Sequence, residues 1–375
     1  MSKYILAGAS ELGKNSVEII EKFNFGSNIV GYMDNDYSKI GKNICSRNIF
    51  SIVQTEKLFA DKTIQGVIIS TSMSDDYKHS IKKQLEQHGI KYWFIPPINY
   101  LNEECKKASC MEDIIFDENN MEYINVVQIM TVDQCNMNCS GCSHFSCLVD
   151  KEKEYDKDKF KQDLIRLKEV IKGVGVFSFV GGEPLLHSNL IQMILDIKDI
   201  FKEATISIIT NGLLLNNMSE EFWKTVEDND VFLDVTYYPE MKKMDDVHRV
   251  LDSKSVRYKI WPERTIFMKR LNPKGDSDAK TTWDFCRERS CVTMRDGKIS
   301  TCYMPITIDY FNEHFGTKID MLDSIVDLYN PKLTGKELVK KMTSYQNACR
   351  YCHDDVPREW SRCSKPNDAV MEDWI

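Results

Sequence analysis

Three cysteines stand close together near the middle of the chain. Cys135, Cys139 and Cys142 follow the spacing C-x3-C-x2-C within residues 131–144. A cubic 4Fe–4S cluster has four irons held by cysteine thiolates. Three thiolates on one loop fix three irons and leave the fourth open, and an open metal position can take a small molecule, as an open zinc position takes substrate. Cysteine makes up 13 of the 375 residues, so this spacing arises by chance in roughly 1–2% of such chains. Its surroundings add to it. The β-rich run Asn125–Thr131 leads into the loop. The next such run, 174–180, ends in Gly181-Gly182-Glu183-Pro184, and the run 205–210 ends in Asn211-Gly212.

With these three strand-end motifs, residues 122–263 resemble the radical S-adenosylmethionine (SAM) superfamily. The resemblance implies that Cys135, Cys139 and Cys142 hold a 4Fe–4S cluster whose open iron binds SAM. It also implies that Gly181, Gly182 and Glu183 contact the methionine amino group, and that Thr210 and Asn211 approach the ribose. A flavodoxin- or ferredoxin-type protein would supply the electron. Many members carry an aromatic residue just before the third cysteine, near the adenine. Here it is Gly141, so the adenine contact must come from elsewhere.

A second group of cysteines lies downstream. Cys286, Cys291 and Cys302 follow C-x4-C-x10-C around an Asp296-Gly297 hairpin signal, and Cys349, Cys352 and Cys363 come later. The segment from Cys286 through Gly297 to Cys302 resembles the opening of the SPASM and twitch domains, which hold auxiliary 4Fe–4S clusters. The full SPASM pattern needs a C-x2-C-x5-C-x3-C run that is absent, so one auxiliary cluster, twitch-like, is expected rather than two. Cys302, Cys349 and Cys352 are its first ligands, Cys286 comes ahead of Cys291 as the fourth, and Cys363 is left over. A structural zinc site is the rival reading, since C-x2-C pairs bind zinc tetrahedrally.

Composition bounds the rest. The chain is 42% hydrophobic and 28% charged, an ordinary globular balance. Net charge is −8, which argues against nucleic acid or an anionic membrane as the main partner, because both select basic surfaces. No apolar run reaches the roughly 18 residues that span a bilayer, and the start of the chain lacks a signal-peptide pattern. A cytoplasmic protein is expected, whose cysteines serve metal or catalysis rather than disulfides.

The elements that must position these residues form an α/β chain. Residues 1–98 read as a Rossmann-like parallel sheet, with strands at 4–7, 28–34, 66–71 and 90–95. The turn from Gly8 to Gly13 and the acid Asp34 suit a nucleotide's phosphate and ribose, although Ser10 replaces the glycine that lets a pyrophosphate approach; the alternative is a Rossmann-like scaffold with no ligand. The wording around Asp34 is similar to N-terminal domains of bacterial sugar acyltransferases and capsule-assembly enzymes, some of which bind a nucleotide-sugar. Residues 99–121 read as a polar linker, with Cys105 and Cys110 as packing or exposed thiols. Residues 122–285 alternate strand and helix, including a helix at 243–251, and are read as the partial (β/α)6 barrel of the resembled family. Active groups belong at the C-terminal ends of its strands. Residues 286–375 form the small cysteine-rich twitch-like domain, in which Thr334 and Glu337 form a capping box. Thr236, Tyr237, Tyr238, Trp261, Glu263, Arg264, His144 and Cys147 stay open between packing and function.

The expected function is that of a radical SAM oxidoreductase or isomerase. Its substrate would be a sugar or nucleotide-sugar in surface-polysaccharide synthesis, changed by dehydrogenation, epimerisation or rearrangement. The alternatives are a maturase of a peptide or protein, and a non-catalytic iron–sulfur regulator or electron carrier.

Overall fold

A computed structural model describes residues 2–23, 25, 28–149, 152–239, 244–289, 291–364 and 368–375. It divides into two compact units, Met1–Asn125 with Ile171–Gly175, and Val126–Val170 with Val176–Ile375.

In the first unit, short apolar runs make a sheet of β1 (Tyr4–Ala7), β2 (Ile29–Met33), β3 (Asn43–Ile44), β4 (Arg47–Phe50), β5 (Gly66–Ser70) and β6 (Tyr92–Ile95). The order is β3-β4-β2-β1-β5-β6, parallel except for β3. Ile5, Leu6, Val67, Ile68 and Ile69 are fully buried, as strands covered on both faces must be. The β3–β4 hairpin, not anticipated, turns through Cys45 and Ser46, both in the left-handed region. Helix Asp75–Gln87 buries Ile81 and Leu85 as its spacing requires.

Residues 99–121 are not a linker. Helix Ile98–Lys107 turns Tyr100, Leu101 and Cys105 inward, Met111 and Ile114 join the same core, and Phe116 pairs with Phe94 on β6. Glu103, Glu104, Lys106 and Lys107 cover the outer side of that helix, and this charge made the segment read as polar in composition.

In the second unit, the alternation supplies five strands rather than six: β7 (Tyr123–Val132), β8 (Gly173–Gly181), β9 (Thr205–Thr210), β10 (Phe232–Thr236) and β11 (Tyr258–Trp261). Strands β8 to β11 are parallel. Helices Lys157–Val170, Leu190–Ile200, Glu220–Asp228 and Met244–Asp252 connect them. The last was expected from 243, a position outside the described residues. After β12 (Ile266–Leu271) the sheet continues. β13 (Thr293–Arg295) lies parallel beside β7, and β14 (Lys298–Ser300) and β15 (Ile325–Asp327) follow antiparallel. The expected break near 286 is therefore no break in the sheet. Asp296 and Gly297 make the β13–β14 turn at φ 49° and 75°. Thr334 and Glu337 cap helix Gly335–Met342 reciprocally. A separate ribbon pairs β12 with β16 (Cys352–Glu359). Among the described residues no helix is long and apolar enough to cross a membrane.

Candidate metal and cofactor site

The loop after β7 holds the first three cysteines. Asn138, Gly141 and Phe145 take left-handed backbone conformations, which fold the loop back on itself so that the cysteines share one cavity. Burial, with the charges of neighbouring groups, pushes the Cys135 and Cys139 thiols up to about 12. Burial raises Cys142 as well. Hydrogen-bond donors oppose burial at each sulfur. The Met137 N–H lies 3.5 Å from Cys135 Sγ, and the Trp360 indole N–H lies 3.2 Å from Cys139 Sγ. The backbone of His144, Phe145 and Ser146 serves Cys142. The Ser146 hydroxyl is buried without a partner. Three thiols, one buried and two partly buried, each met by donors suited to a thiolate, fit a cationic cluster held by Cys135, Cys139 and Cys142.

The second motif is laced to the entry of this loop. Gly182 N–H donates to Val132 O at 2.8 Å, and Glu183 N–H donates to Gln134 O at 3.0 Å. A Cβ on Gly182 would overlap the Gln134 carbonyl, so only glycine allows this approach. The Glu183 side chain is 1% exposed. It accepts from Thr210 Oγ1 at 2.6 Å, Asn211 N at 2.9 Å and Leu185 N at 3.2 Å. Burial outweighs these donors and raises its carboxyl to about 7. Among the described residues it has no ion-pair partner. The Asn211 amide donates to Asn136 Oδ1 at 2.7 Å and lies 3.9 Å from Cys135 Sγ, which ties the third motif to the first.

The three cysteines line one cavity of about 260 Å³ together with Gly182, Glu183, Thr210 and Asn211. Tyr238, Arg264 and Phe267 form another part of its wall, and Gln128 and His144 also face it. Gln128 Oε1 and His144 Nε2 are buried without partners. Burial lowers His144 to about 4 and so keeps it neutral. Of the residues left open by sequence, Thr236, Tyr238, Arg264 and His144 therefore reach the cavity. Trp261 instead donates to Asp234 and lies under Lys259.

Residues far along the chain complete the loop's setting, and nothing in the sequence signalled them. Ser140 N–H donates to Ser361 O at 2.9 Å, Cys363 N–H to Asn138 O at 2.8 Å, and Arg362 Nε to Met137 O at 2.8 Å. The Trp374 indole donates to Cys142 O at 2.8 Å. A Cβ on Gly141 would stand 2.7 Å from Arg358 Nη1 and 2.8 Å from Asp373 O. The place of the expected aromatic is thus crowded by this segment.

The second cysteine group gathers elsewhere in the same unit. Cys286, Cys302 and Cys352 line a cavity of about 210 Å³. After burial, the charges of Cys352, Cys286 and Cys349 raise Cys302, so these four are close in space. Cys291 donates to Glu288 Oε2 at 3.0 Å, and the charges of Cys302 and Cys286 reach it as well. Cys363 and Cys147 are buried in one apolar cluster, and each perturbs the other's thiol. Among the described residues, no three such side chains converge on a single-ion site. Arg270, Glu288, Tyr303 and Met304 line both this cavity and the first.

The turn expected to take a nucleotide is built differently. Asp34 is 6% exposed. It accepts from Ala9 N at 2.8 Å and Asp36 N at 2.9 Å, and it pairs with Lys39 Nζ at 3.2 Å. Met73 and Tyr77 crowd Gly8, and Ser10 caps the helix with its own side chain. The carboxylate expected to meet a ribose is committed to the protein's own backbone.

Residues 129–258 match the radical SAM superfamily model, and the chain carries a radical SAM domain there. It is 33% identical over 106 residues to GTP 3',8-cyclase of Trichodesmium erythraeum, across 28% of this chain and 32% of that one. It is 27% identical over 165 residues to GTP 3',8-cyclase of Clostridium botulinum, across 40% and 49%. The chain thus spans less than half the length of these curated relatives. Among solved structures it is similar to BtrN in complex with AdoMet and 2-DOIA, at 18% identity and TM-score 0.39, over 62% of this chain and 93% of that one. It is also similar to UDP-D-quinovosamine 4-dehydrogenase from Vibrio fischeri, at 19% identity and TM-score 0.24, over 30% and 96%.

Proposed function

We propose that the protein is a radical SAM enzyme acting on a hydroxyl-bearing small molecule, a sugar or nucleotide-sugar of surface-polysaccharide synthesis. One observation carries the reading. Glu183 is a buried carboxylate with no cation of its own among the described residues, joined through Asn211 and Asn136 to the cysteine loop. The methionine ammonium of SAM supplies the missing charge. When bound, the cluster supplies one electron that splits SAM into methionine and a 5′-deoxyadenosyl radical able to take a hydrogen atom from a C–H bond.

The chain's own residues bind and orient. Thr210 and the Asn211 N–H fix the Glu183 carboxylate, and Gly182 lets the backbone approach closely. Tyr238 and Phe267 exclude water from the cavity. Gln128 Oε1, an acceptor, and the neutral His144 ring suit the hydroxyls of a sugar. The curated relatives' name, GTP 3',8-cyclase, supports a nucleotide-linked substrate. Cys286, Cys302, Cys349 and Cys352 are the ligands proposed for an auxiliary 4Fe–4S cluster, with Cys291 in reserve on Glu288.

The test is iron content with SAM turnover. Anaerobically reconstituted protein is expected to carry about eight irons per chain, four per cubane, and the Cys135/Cys139/Cys142→Ala variant about four, without SAM cleavage. Four irons with one zinc in the native protein would replace the auxiliary cluster by a zinc site. Turnover stimulated by peptides and not by a panel of nucleotide-sugars and GTP would overturn the substrate class.

A further inference from the structure

We infer that Trp360 is a positioning residue for electron uptake: its indole N–H, donated to Cys139, makes the first cluster easier to reduce. This rests on the reading that Cys135, Cys139 and Cys142 hold that cluster. Of the donors at these sulfurs, those at Cys135 and Cys142 come from the cysteine loop itself or from Asn211 beside it. Trp360 comes instead from 221 residues downstream.

Its placement is fixed from several sides. The backbone of Ser361 and Cys363 pairs with Ser140 and Asn138 on the loop, and the Arg362 guanidinium grips Met137 O. The indole ring stacks on Tyr238, with centroids 6.1 Å apart and planes at 30°. It also packs in one apolar cluster with Phe267 and Met137. The N–H is therefore held at 3.2 Å from the sulfur of Cys139, a buried residue. In such surroundings water screens little, and a dipole pointing its positive end at a thiolate acts at nearly full strength. Hydrogen bonds to cluster sulfurs are among the factors that set iron–sulfur potentials. Reduction adds one electron, from a low-potential one-electron protein donor or from dithionite, and the indole proton stays on its nitrogen. The added negative charge strengthens the N–H···S bond, so the reduced form gains more from Trp360 than the oxidised form does.

The test separates the N–H from the ring. Replacing Trp360 with 3-benzothienylalanine keeps the bicyclic shape and puts sulfur where the N–H was, and Trp360→Phe serves as a second variant. Reconstituted proteins are titrated potentiometrically and followed by electron paramagnetic resonance, using the signal that changes when SAM is added. The expected result is a more negative midpoint potential in both variants, with iron content and SAM affinity preserved in the benzothienyl form. An unchanged potential in that form overturns the inference and leaves Trp360 a packing residue. Failure of both variants to load iron also overturns it, because Trp360 would then serve assembly rather than potential. If the native protein loads no cluster at the three cysteines, the underlying functional reading fails instead.

Discussion

Asp34 and Glu183 are both buried carboxylates just past the C-terminal ends of parallel strands, and both accept backbone N–H groups. Asp34 also has the Lys39 ammonium at 3.2 Å, so its charge is matched from within. Glu183 has donors but, among the described residues, no cation, and burial raises its carboxyl to about 7. A buried charge left unmatched is costly unless a partner arrives. The first turn is therefore finished as it stands, whereas the second is finished by a ligand. A glycine turn with an acid beside it does not distinguish the two cases. The presence of an internal cation does.

Exchanging the glycines should split the two turns most sharply. Gly182→Ala pushes a methyl group into the Gln134 carbonyl and should abolish SAM binding. Gly13→Ala pushes one into the Gly8 carbonyl and should lower the stability of the first unit by about 1–3 kcal/mol or more, leaving SAM binding in place. Equilibrium dialysis with labelled SAM, run beside thermal melts, reads both. Next in size is Glu183→Gln. It keeps the shape but loses a charge-assisted contact, so SAM affinity should fall by roughly 1.5–3 kcal/mol. Unaltered affinity would place the ammonium elsewhere. The matching change, Asp34→Asn, should leave SAM affinity alone and cost about 1–2 kcal/mol in a urea melt. A loss of SAM or substrate binding there would restore the ligand role to the first turn.

The smallest effect is the pH dependence. The folded pKa of Glu183 lies above its unfolded value, so the stability it contributes is present below the usual carboxylate range and lost as pH rises through about 7. SAM favours the ionised form. Its affinity should therefore fall by up to about tenfold per pH unit below 7 and level off above it. Calorimetry in buffers of different ionisation heat should detect the proton released near pH 6, and Glu183→Gln should remove that release.

The sequence placed the cysteine loop and both strand-end motifs because strand runs and glycine turns are local signals. The same is true of the Asp296-Gly297 hairpin and the Thr334 cap. What it missed was non-local or masked. Helix Ile98–Lys107 hid a buried face under four charged residues. The β3–β4 hairpin turns through Cys45 and Ser46 without a glycine. The extent of the second sheet was misread because it runs on from β7 through β13 to β14 and β15, and the pairing of β13 with β7 cannot be seen from spacing. Asp34 and Glu183 look alike in one dimension, since Lys39 becomes an ion-pair partner only once the chain has folded.

The seam between residues 137–140 and 361–363 bears on how the protein is made. At ribosomal rates of ~5–20 residues per second, the 221 residues between Cys139 and Trp360 take roughly 10–45 s to emerge. Throughout that interval the three cysteines exist on a nascent chain whose outer seam has not been synthesised. Delivery of iron and sulfide during translation would meet an open loop, and delivery after release would have to work against a closed one. Pulse-labelling with iron-55 on stalled nascent chains that end before and after residue 363 would show which side of that seam the cluster enters.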